Sequence, residues 1–296
     1  MKAFVTGASG MLGADLCAAL EARGHTVLRA DRRPESPLRL DIEDTAQVRA
    51  TLVDLLPDVV FHCAAWTDVD GAERSPDAAW RVNALGAWNV AAGAAAVGAR
   101  LVYVSTDFVF DGEKGSPYTE FDPVRPLGAY AASKEAGERL VRQTLPDRHI
   151  IARTSWLFGP HGKNFVATIQ RLGATRHEIP VVADQIGCPT HTADLARKLI
   201  DLAEDPLPGT YHVSGAGQCS WYDFACAIVE RAGLDTRIVP ITADDYAARF
   251  GSPTQRPAYS VLRHFALELR GMDDMPRWEN ALDAYLTRTG QGEGKT

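Results

Sequence analysis

Lys2-Ala3-Phe4-Val5-Thr6-Gly7-Ala8-Ser9-Gly10-Met11-Leu12-Gly13-Ala14-Asp15-Leu16 places three glycines between a short apolar run and the start of an amphipathic one. Lys2 to Thr6 has the length and composition of a buried strand. Ala14 to Arg23 carries Leu16, Ala19 and Leu20 on one helical face, and Gly24 ends it. Thr26 to Ala30 reads as a second strand closed by Asp31. Strand, helix and strand within about thirty residues form a βαβ unit, which requires a parallel sheet. At such a junction Gly7, Gly10 and Gly13 permit a tight turn and bring backbone close to a pyrophosphate, which the free N–H groups of the helix start would bind. The spacing is GxxGxxG rather than the commoner GxGxxG.

Asp31 stands where an acid meets the ribose of a bound dinucleotide. An aspartate there favours NADH through the 2′-hydroxyl, whereas the adjacent Arg32 and Arg33 favour NADPH by pairing with a 2′-phosphate. Both signals are present; NADPH or NADH stays open, with NADPH slightly favoured.

The alternation continues outward. Thr45–Leu56 reads as helix, Asp58–Cys63 as strand, Asp77–Val97 as an Ala-rich helix, Arg100–Ser105 as strand, Ala129–Leu145 as helix and His149–Arg153 as strand. The expected fold class is α/β, a Rossmann-like doubly wound parallel sheet with helices on both faces. After Thr154 the rhythm breaks. Residues 1–154 are expected to bind the cofactor. Residues 155–289 are expected to form a smaller substrate lobe interleaved with late elements of the main sheet, with helices over Asp194–Ala203, Trp221–Ala232 and Trp278–Thr287. Residues 290–296 read as a disordered tail.

Composition narrows the function classes. Of 296 residues, 31 are Lys or Arg and 38 Asp or Glu, a net charge of −7 that suits neither a dedicated nucleic-acid binder nor an anionic-membrane binder. Val82–Ala99 has no charged residue, but it is rich in Ala and Gly and holds Asn83 and Asn89, so a packed helix is expected rather than a membrane span. Five cysteines without a CxxC pair point to a reduced, cytoplasmic compartment rather than to disulfides or structural zinc. The eight histidines form no HxxxH or HExxH pattern, and GxSxG is absent. Trp66, Trp80, Trp88, Trp221 and Trp278 read most simply as packing residues.

Tyr130 and Lys134, four apart in a predicted helix, share one face. A neighbouring ammonium is expected to lower the phenol's pKa, and the phenol can then protonate a carbonyl oxygen as hydride reaches the carbon. Ser105-Thr106 end a predicted parallel strand, the edge at which open α/β sheets place ligands, and a hydroxyl there can orient the same oxygen.

On these residues the chain resembles the dTDP-4-dehydrorhamnose reductase family, within the extended short-chain dehydrogenase/reductase superfamily. The matching segments are Gly7 to Gly13, Asp58 to Thr67, Val82-Asn83, Ser105 to Gly112 and Tyr130-Ala131-Ala132-Ser133-Lys134. Further matches are Arg153 to Trp156, Gly162 to Phe165, Asp184 to Thr190, and Arg256-Pro257-Ala258-Tyr259-Ser260. The resemblance implies reduction of the C4 ketone of dTDP-4-dehydro-L-rhamnose to dTDP-L-rhamnose, with Thr106, Tyr130 and Lys134 as the catalytic residues. It implies that Gly7, Gly10, Met11, Leu12 and Gly13 line the pyrophosphate, Asp41 and Ile42 the adenine, and Ala64, Ala65 and Thr67 the nicotinamide side. Lys134 would also bond the nicotinamide ribose. Thr106, Asp107, Trp156, Asn164, Gln185 and Arg256 are the implied contacts to the nucleotide-sugar substrate. A homodimer is compatible with the family. Some members use interface carboxylates for a metal; no acidic pair here matches, so none is expected. Phe108 stands where the family motif usually has tyrosine.

Four rivals remain, the first a reductase acting on another nucleotide-linked keto sugar. A dehydratase would need a glutamate after Thr106-Asp107, where this chain has Phe108. A sugar-nucleotide epimerase would retain its cofactor through purification. A regulatory subunit would bind cofactor and partner enzyme without turnover, against which the intact Thr106, Tyr130 and Lys134 argue.

Overall fold

The computed structural model describes residues 1–252 and 254–290, the last two by backbone only. The expected tail lies, from residue 291, outside the described residues. Seven strands form the main sheet: β1 (Lys2–Thr6), β2 (Thr26–Asp31), β3 (Leu38–Arg39), β4 (Val59–His62), β5 (Arg100–Thr106), β6 (His149–Thr154) and β7 (Gly209–His212). Their order is β3-β2-β1-β4-β5-β6-β7, and every neighbouring pair is parallel. This is the doubly wound arrangement read from the sequence, with its reversal between β1 and β4.

Alternation along each strand divides the core. Ala3, Val5, Val59, Phe61, Val102, Ile150 and Ala152 face α1 (Met11–Ala22) and the helix Thr192–Glu204, while Phe4, Val60, Leu101, Tyr103 and Ile151 face the opposite layer. That second layer is built by α2 (Thr45–Leu55), α3 (Gly86–Val97) and α4 (Ala129–Thr144). Both faces are covered, which is why the strands read as unbroken apolar runs.

Several boundaries differ from the sequence reading. α1 starts at Met11, not Ala14, so Gly13 lies inside the helix. The expected helix Asp77–Val97 is Pro76–Trp80, a π-helical turn Arg81–Leu85 and then α3. The helix Val69–Arg74 and the two-residue strand β3 have patterns too short for periodicity to register. The uncharged stretch Val82–Ala99 packs on the sheet through Ala87, Val90, Ala91 and Ala94, and no helix among the described residues is long and apolar enough to cross a membrane. Trp80 and Trp88 are exposed on the outer face of this segment, so they are not core packing residues.

Beyond β6 come α5 (Phe165–Gly173), α6 (Thr192–Glu204), α7 (Trp221–Arg231) and α8 (Trp278–Gly290). α6 and β7 return to the main sheet, α6 against α1 and β7 beside β6. The rest surrounds a separate apolar cluster of Phe158, Val166, Ile169, Phe224, Ile228 and Leu282. Next to it the strands Glu178–Val182 and Arg237–Ile241 pair in parallel.

A buried ion pair ties α4 to the sheet. Glu138 is fully buried; its Oε1 accepts from Arg153 Nε at 2.9 Å and from Ser105 Oγ at 2.6 Å, and its Oε2 accepts from Arg153 Nη2 at 2.8 Å and from Arg142. Burial pushes the carboxyl's pKa up, but the two guanidinium groups and the Ser105 hydroxyl hold it below its ordinary value. Removing one partner of a buried pair leaves the other charge uncompensated. Glu138→Gln is therefore expected to cost about 3–5 kcal/mol of stability, read as a lower denaturation midpoint in urea.

Candidate active site

A cleft of about 840 Å³ opens at the carboxyl ends of the strands, over the reversal between β1 and β4. Its floor is the glycine turn. Gly7 has φ +65°, and a Cβ there would lie 2.7 Å from the backbone nitrogen of Ala64, at the end of β4. A Cβ on Gly13 would strike the Gly7 carbonyl oxygen. Glycine is thus required at both positions: one lets the turn pass under the neighbouring strand, the other lets α1 sit on the turn. Gly10, Met11 and Leu12 complete the floor, with Gly10 as the N-cap of α1. Its side-chain-free cap leaves the first N–H groups of the helix facing the cleft mouth.

Asp31 holds this turn from the side. Its Oδ2 accepts from Ser9 N–H at 3.1 Å and its Oδ1 from Arg33 N–H at 3.2 Å. The Arg33 guanidinium donates to the Ser9 carbonyl at 3.3 Å. Arg32 lines the cleft and makes no hydrogen bond or ion pair among the described residues, so its charge is available. Asp41 and Ile42 line the same end, and Ala64, Ala65 and Thr67 line the wall beyond β4. All the sequence-derived cofactor residues are therefore brought to one cleft.

The far wall carries Thr106, Tyr130 and Lys134. Thr106 ends β5 in register with Thr154 of β6. Its Oγ1 accepts from Phe108 N–H at 3.2 Å and donates to Asp107 Oδ1 at 3.1 Å. Lys134 Nζ donates to the Val104 carbonyl at 2.7 Å and stands 4.1 Å from the centre of the Tyr103 ring. Burial lowers its pKa to about 7 against the opposing pull of Glu138 and Cys63. The Tyr130 phenol departs from the sequence expectation. Burial pushes it up to about 12, the Thr106 hydroxyl draws it down, and the Asp107 charge raises it. Lys134 does not lower it here, because the amine is turned to the Val104 carbonyl and the Tyr103 ring. Phe108 meets Tyr130 edge-on, ring centres 6.1 Å apart, and closes one side of the phenol.

The expected substrate contacts divide. Asp107 and Trp156 line the cleft; Asn164, Gln185 and Arg256 do not. Asn164 caps α5, its Oδ1 accepting from Ala167 N–H at 3.0 Å and its Nδ2 donating to the Gly159 carbonyl at 2.8 Å. Arg256 pairs with Asp70 at 3.0 Å and with the Ser252 hydroxyl, binding these two residues to the helix Val69–Arg74. Gln185 is buried outside the cleft lining. Trp221, read as a packing residue, instead lines the cleft and stacks on Trp156, with ring centres 3.6 Å apart and planes 8° apart. Trp156 has φ +48°, and its indole covers Gly187, where a Cβ would collide with it. No local pattern announces a stack between residues 65 positions apart. Trp66 also lines the cleft, its backbone N–H donating to Asn83 Oδ1 at 2.8 Å.

The family described as RmlD substrate binding domain matches residues 1–290. The chain belongs to the dTDP-4-dehydrorhamnose reductase family. It is similar to a spore coat polysaccharide biosynthesis protein SpsK of Bacillus subtilis, 45% identical over 96% of both chains. It is 42% identical to a dTDP-4-dehydrorhamnose reductase of Streptomyces griseus, over 94% of this chain and 90% of that one. The crystal structure of a dTDP-4-dehydrorhamnose reductase from Bacillus anthracis in complex with NADP superposes with a TM-score of 0.90 at 42% identity, covering 97% of this chain and 99% of that one.

For this member of the dTDP-4-dehydrorhamnose reductase family, the donor set suits a dinucleotide. The Gly7 cradle has no room for a side chain, and Thr154 Oγ1, buried at the cleft edge, has no hydrogen-bond partner among the described residues. Lys134 gives a measurable sign. Above its pKa of about 7 the free amine is mostly neutral, and an anionic ligand beside it favours the ammonium. Binding of NADH, which has no titrating 2′-phosphate, is therefore expected to take up protons above that pH. Calorimetry in buffers of different ionisation heat measures the uptake, and Lys134→Met abolishes it.

Proposed function

We propose that this protein reduces the C4 ketone of dTDP-4-dehydro-L-rhamnose to dTDP-L-rhamnose, with NADPH or NADH as hydride donor. The observation that carries this reading is the convergence of Thr106, Tyr130 and Lys134 on the wall of a cleft whose floor is a glycine turn, in a chain of the dTDP-4-dehydrorhamnose reductase family.

The cofactor supplies a hydride when bound. Gly7, Gly10, Met11, Leu12 and Gly13 cradle its pyrophosphate, Asp31 and Arg32 meet the adenosine ribose, Asp41 and Ile42 flank the adenine, and Ala64, Ala65 and Thr67 flank the nicotinamide. Lys134 bonds the nicotinamide ribose. Tyr130 holds a proton tightly, as its raised pKa requires, and releases it to an alkoxide oxygen, a stronger base. Thr106 orients that oxygen. Trp156 offers an apolar face to the sugar, and residues 155–289, apart from α6 and β7, form the lobe that selects the nucleotide sugar. A homodimer is supported by Trp80, Leu85 and Trp88, exposed along one outer helical face.

The test is oxidation of NADPH and NADH with dTDP-4-dehydrorhamnose generated in place by its upstream enzymes. Substrate-dependent oxidation is expected; its absence from a folded, cofactor-binding protein overturns the reading. Tyr130→Phe is expected to lower kcat by about 100-fold or more while dinucleotide affinity is kept. Arg32→Ala should weaken NADPH more than NADH, and equal Kd changes for both would remove Arg32 from the 2′-phosphate.

A further inference from the structure

Three neighbouring strands contribute one side chain each to a buried row beneath the catalytic wall. Thr6 of β1 is in register with His62 of β4, and His62 with Tyr103 of β5, so the three lie side by side on the sheet face that α4 covers. Thr6 Oγ1 and His62 Nδ1 are 2.7 Å apart, and the His62 and Tyr103 rings stack with centres 5.7 Å apart. The row ends on Lys134, whose Nζ stands 4.1 Å from the centre of the Tyr103 ring. We propose that Tyr103 is a positioning residue for the reductase, its ring face seating the Lys134 ammonium and favouring its charged form. This inference deepens the reductase reading above and rests on it for the role of Lys134.

Tyr103 holds Lys134 at both ends. Its hydroxyl donates to the Lys134 carbonyl at 3.3 Å, with the Asn83 carbonyl as a second acceptor at 3.5 Å, while its ring meets the ammonium. The lysine side chain therefore returns to the same residue that fixes its backbone. Gly137 makes this approach possible, because a Cβ there would strike the Tyr103 hydroxyl and the Asn83 carbonyl. Glycine is unfavourable inside a helix, and here it lets α4 come down onto the ring. His62 flanks the seat without opposing it. Burial and the Lys134 charge push its pKa down to about 3, so the imidazole stays neutral.

The seat matters because Lys134 has no ion-pair partner among the described residues. The groups facing it are Glu138 from its own helix, His62 and Cys63 at the end of β4, and Tyr103 from β5. Glu138 is already paired with Arg153 and Arg142 and accepts from Ser105. Burial raises the Tyr103 phenol well above its ordinary value, so the ring itself stays neutral. What holds the ammonium is a carbonyl dipole, Val104 at 2.7 Å, and the electron-rich face of Tyr103. Such a face attracts a desolvated cation more strongly than an exposed one.

A series at one position tests the ring on the full chain. Tyr103→Phe keeps the aromatic face, and mono-, di- and trifluorinated phenylalanines placed at position 103 keep its shape while draining electron density from it. In the ligand-free protein, NMR of isotope-labelled lysine follows the Lys134 methylene next to the amine, assigned by its loss in Lys134→Met. That signal should lie upfield of the other lysines, under the ring current. Its titration midpoint should be kept in Tyr103→Phe and fall stepwise with fluorination, by about half a pH unit or more for the trifluorinated ring, because a weaker face favours the free amine. In turnover with the keto sugar, the fall of kcat/KM for the cofactor with rising pH should begin at lower pH along the same series. A signal without the upfield shift, a midpoint indifferent to fluorination, or a fall already complete in Tyr103→Phe overturns the proposal, as does a moved midpoint beside an unmoved kcat/KM limb. A wild-type protein that does not turn over the sugar overturns the reductase reading instead, and the ligand-free arm still decides the seat.

Discussion

The cleft depends on the passage of the glycine turn against Ala64, just beyond β4, where a Cβ on Gly7 would lie 2.7 Å from the backbone nitrogen. A doubly wound sheet leaves a crevice only where its strand order reverses, because there successive crossovers go to opposite faces. Here that point lies between β1 and β4, and Gly7 stands against Ala64 across it. Any side chain at Gly7 would push the two strand ends apart, and any at Gly13 would lift α1 from the turn. The crevice, the exposed helix start and the position of Asp31 all follow from these two absences of a Cβ.

Opposite the glycine turn the constraint is electrostatic. Thr106, Tyr130 and Lys134 sit on a wall whose interior carries Glu138, Arg153 and Ser105, a charge pair with its hydrogen bonds largely satisfied. This pair anchors α4 to β5 and β6 and so fixes where Tyr130 and Lys134 point. The low dielectric that makes the pair rigid also moves the proton affinities around it. Lys134 falls to about 7, Asp107 rises to about 7 and Tyr130 rises to about 12, each with burial as the leading cause.

The second half of the chain supplies the remaining wall by a different route. Trp156 is held in a left-handed backbone conformation, with its indole between Trp221 and Gly187. Arg256 and Ser252 are bound to Asp70 in the first half of the chain, and Ser260 reaches back to Asp107. The smaller lobe is thus tied to the first half of the chain by these side-chain hydrogen bonds and by a backbone bridge between Tyr118 and Leu262.

The α/β alternation, the glycine turn, Asp31 and the Tyr130–Lys134 pair were legible in the sequence, because each rests on local periodicity or on a residue type that a short backbone segment demands. The resemblance to the reductase family added Thr106, Asp41, Ile42, Ala64, Ala65 and Thr67, all of which the fold brings to one cleft. Tertiary structure alone decided the rest. Asn164 and Arg256 looked like ligand contacts but serve as a helix cap and an ion-pair tie, since a polar side chain's partner depends on what lies beside it in space. Trp221 became part of the cleft only through its stack with Trp156. The Tyr130 pKa rose where a neighbouring lysine predicted a fall, because sequence spacing puts two side chains on one face but does not show how deeply they are buried or which carbonyl the amine turns to.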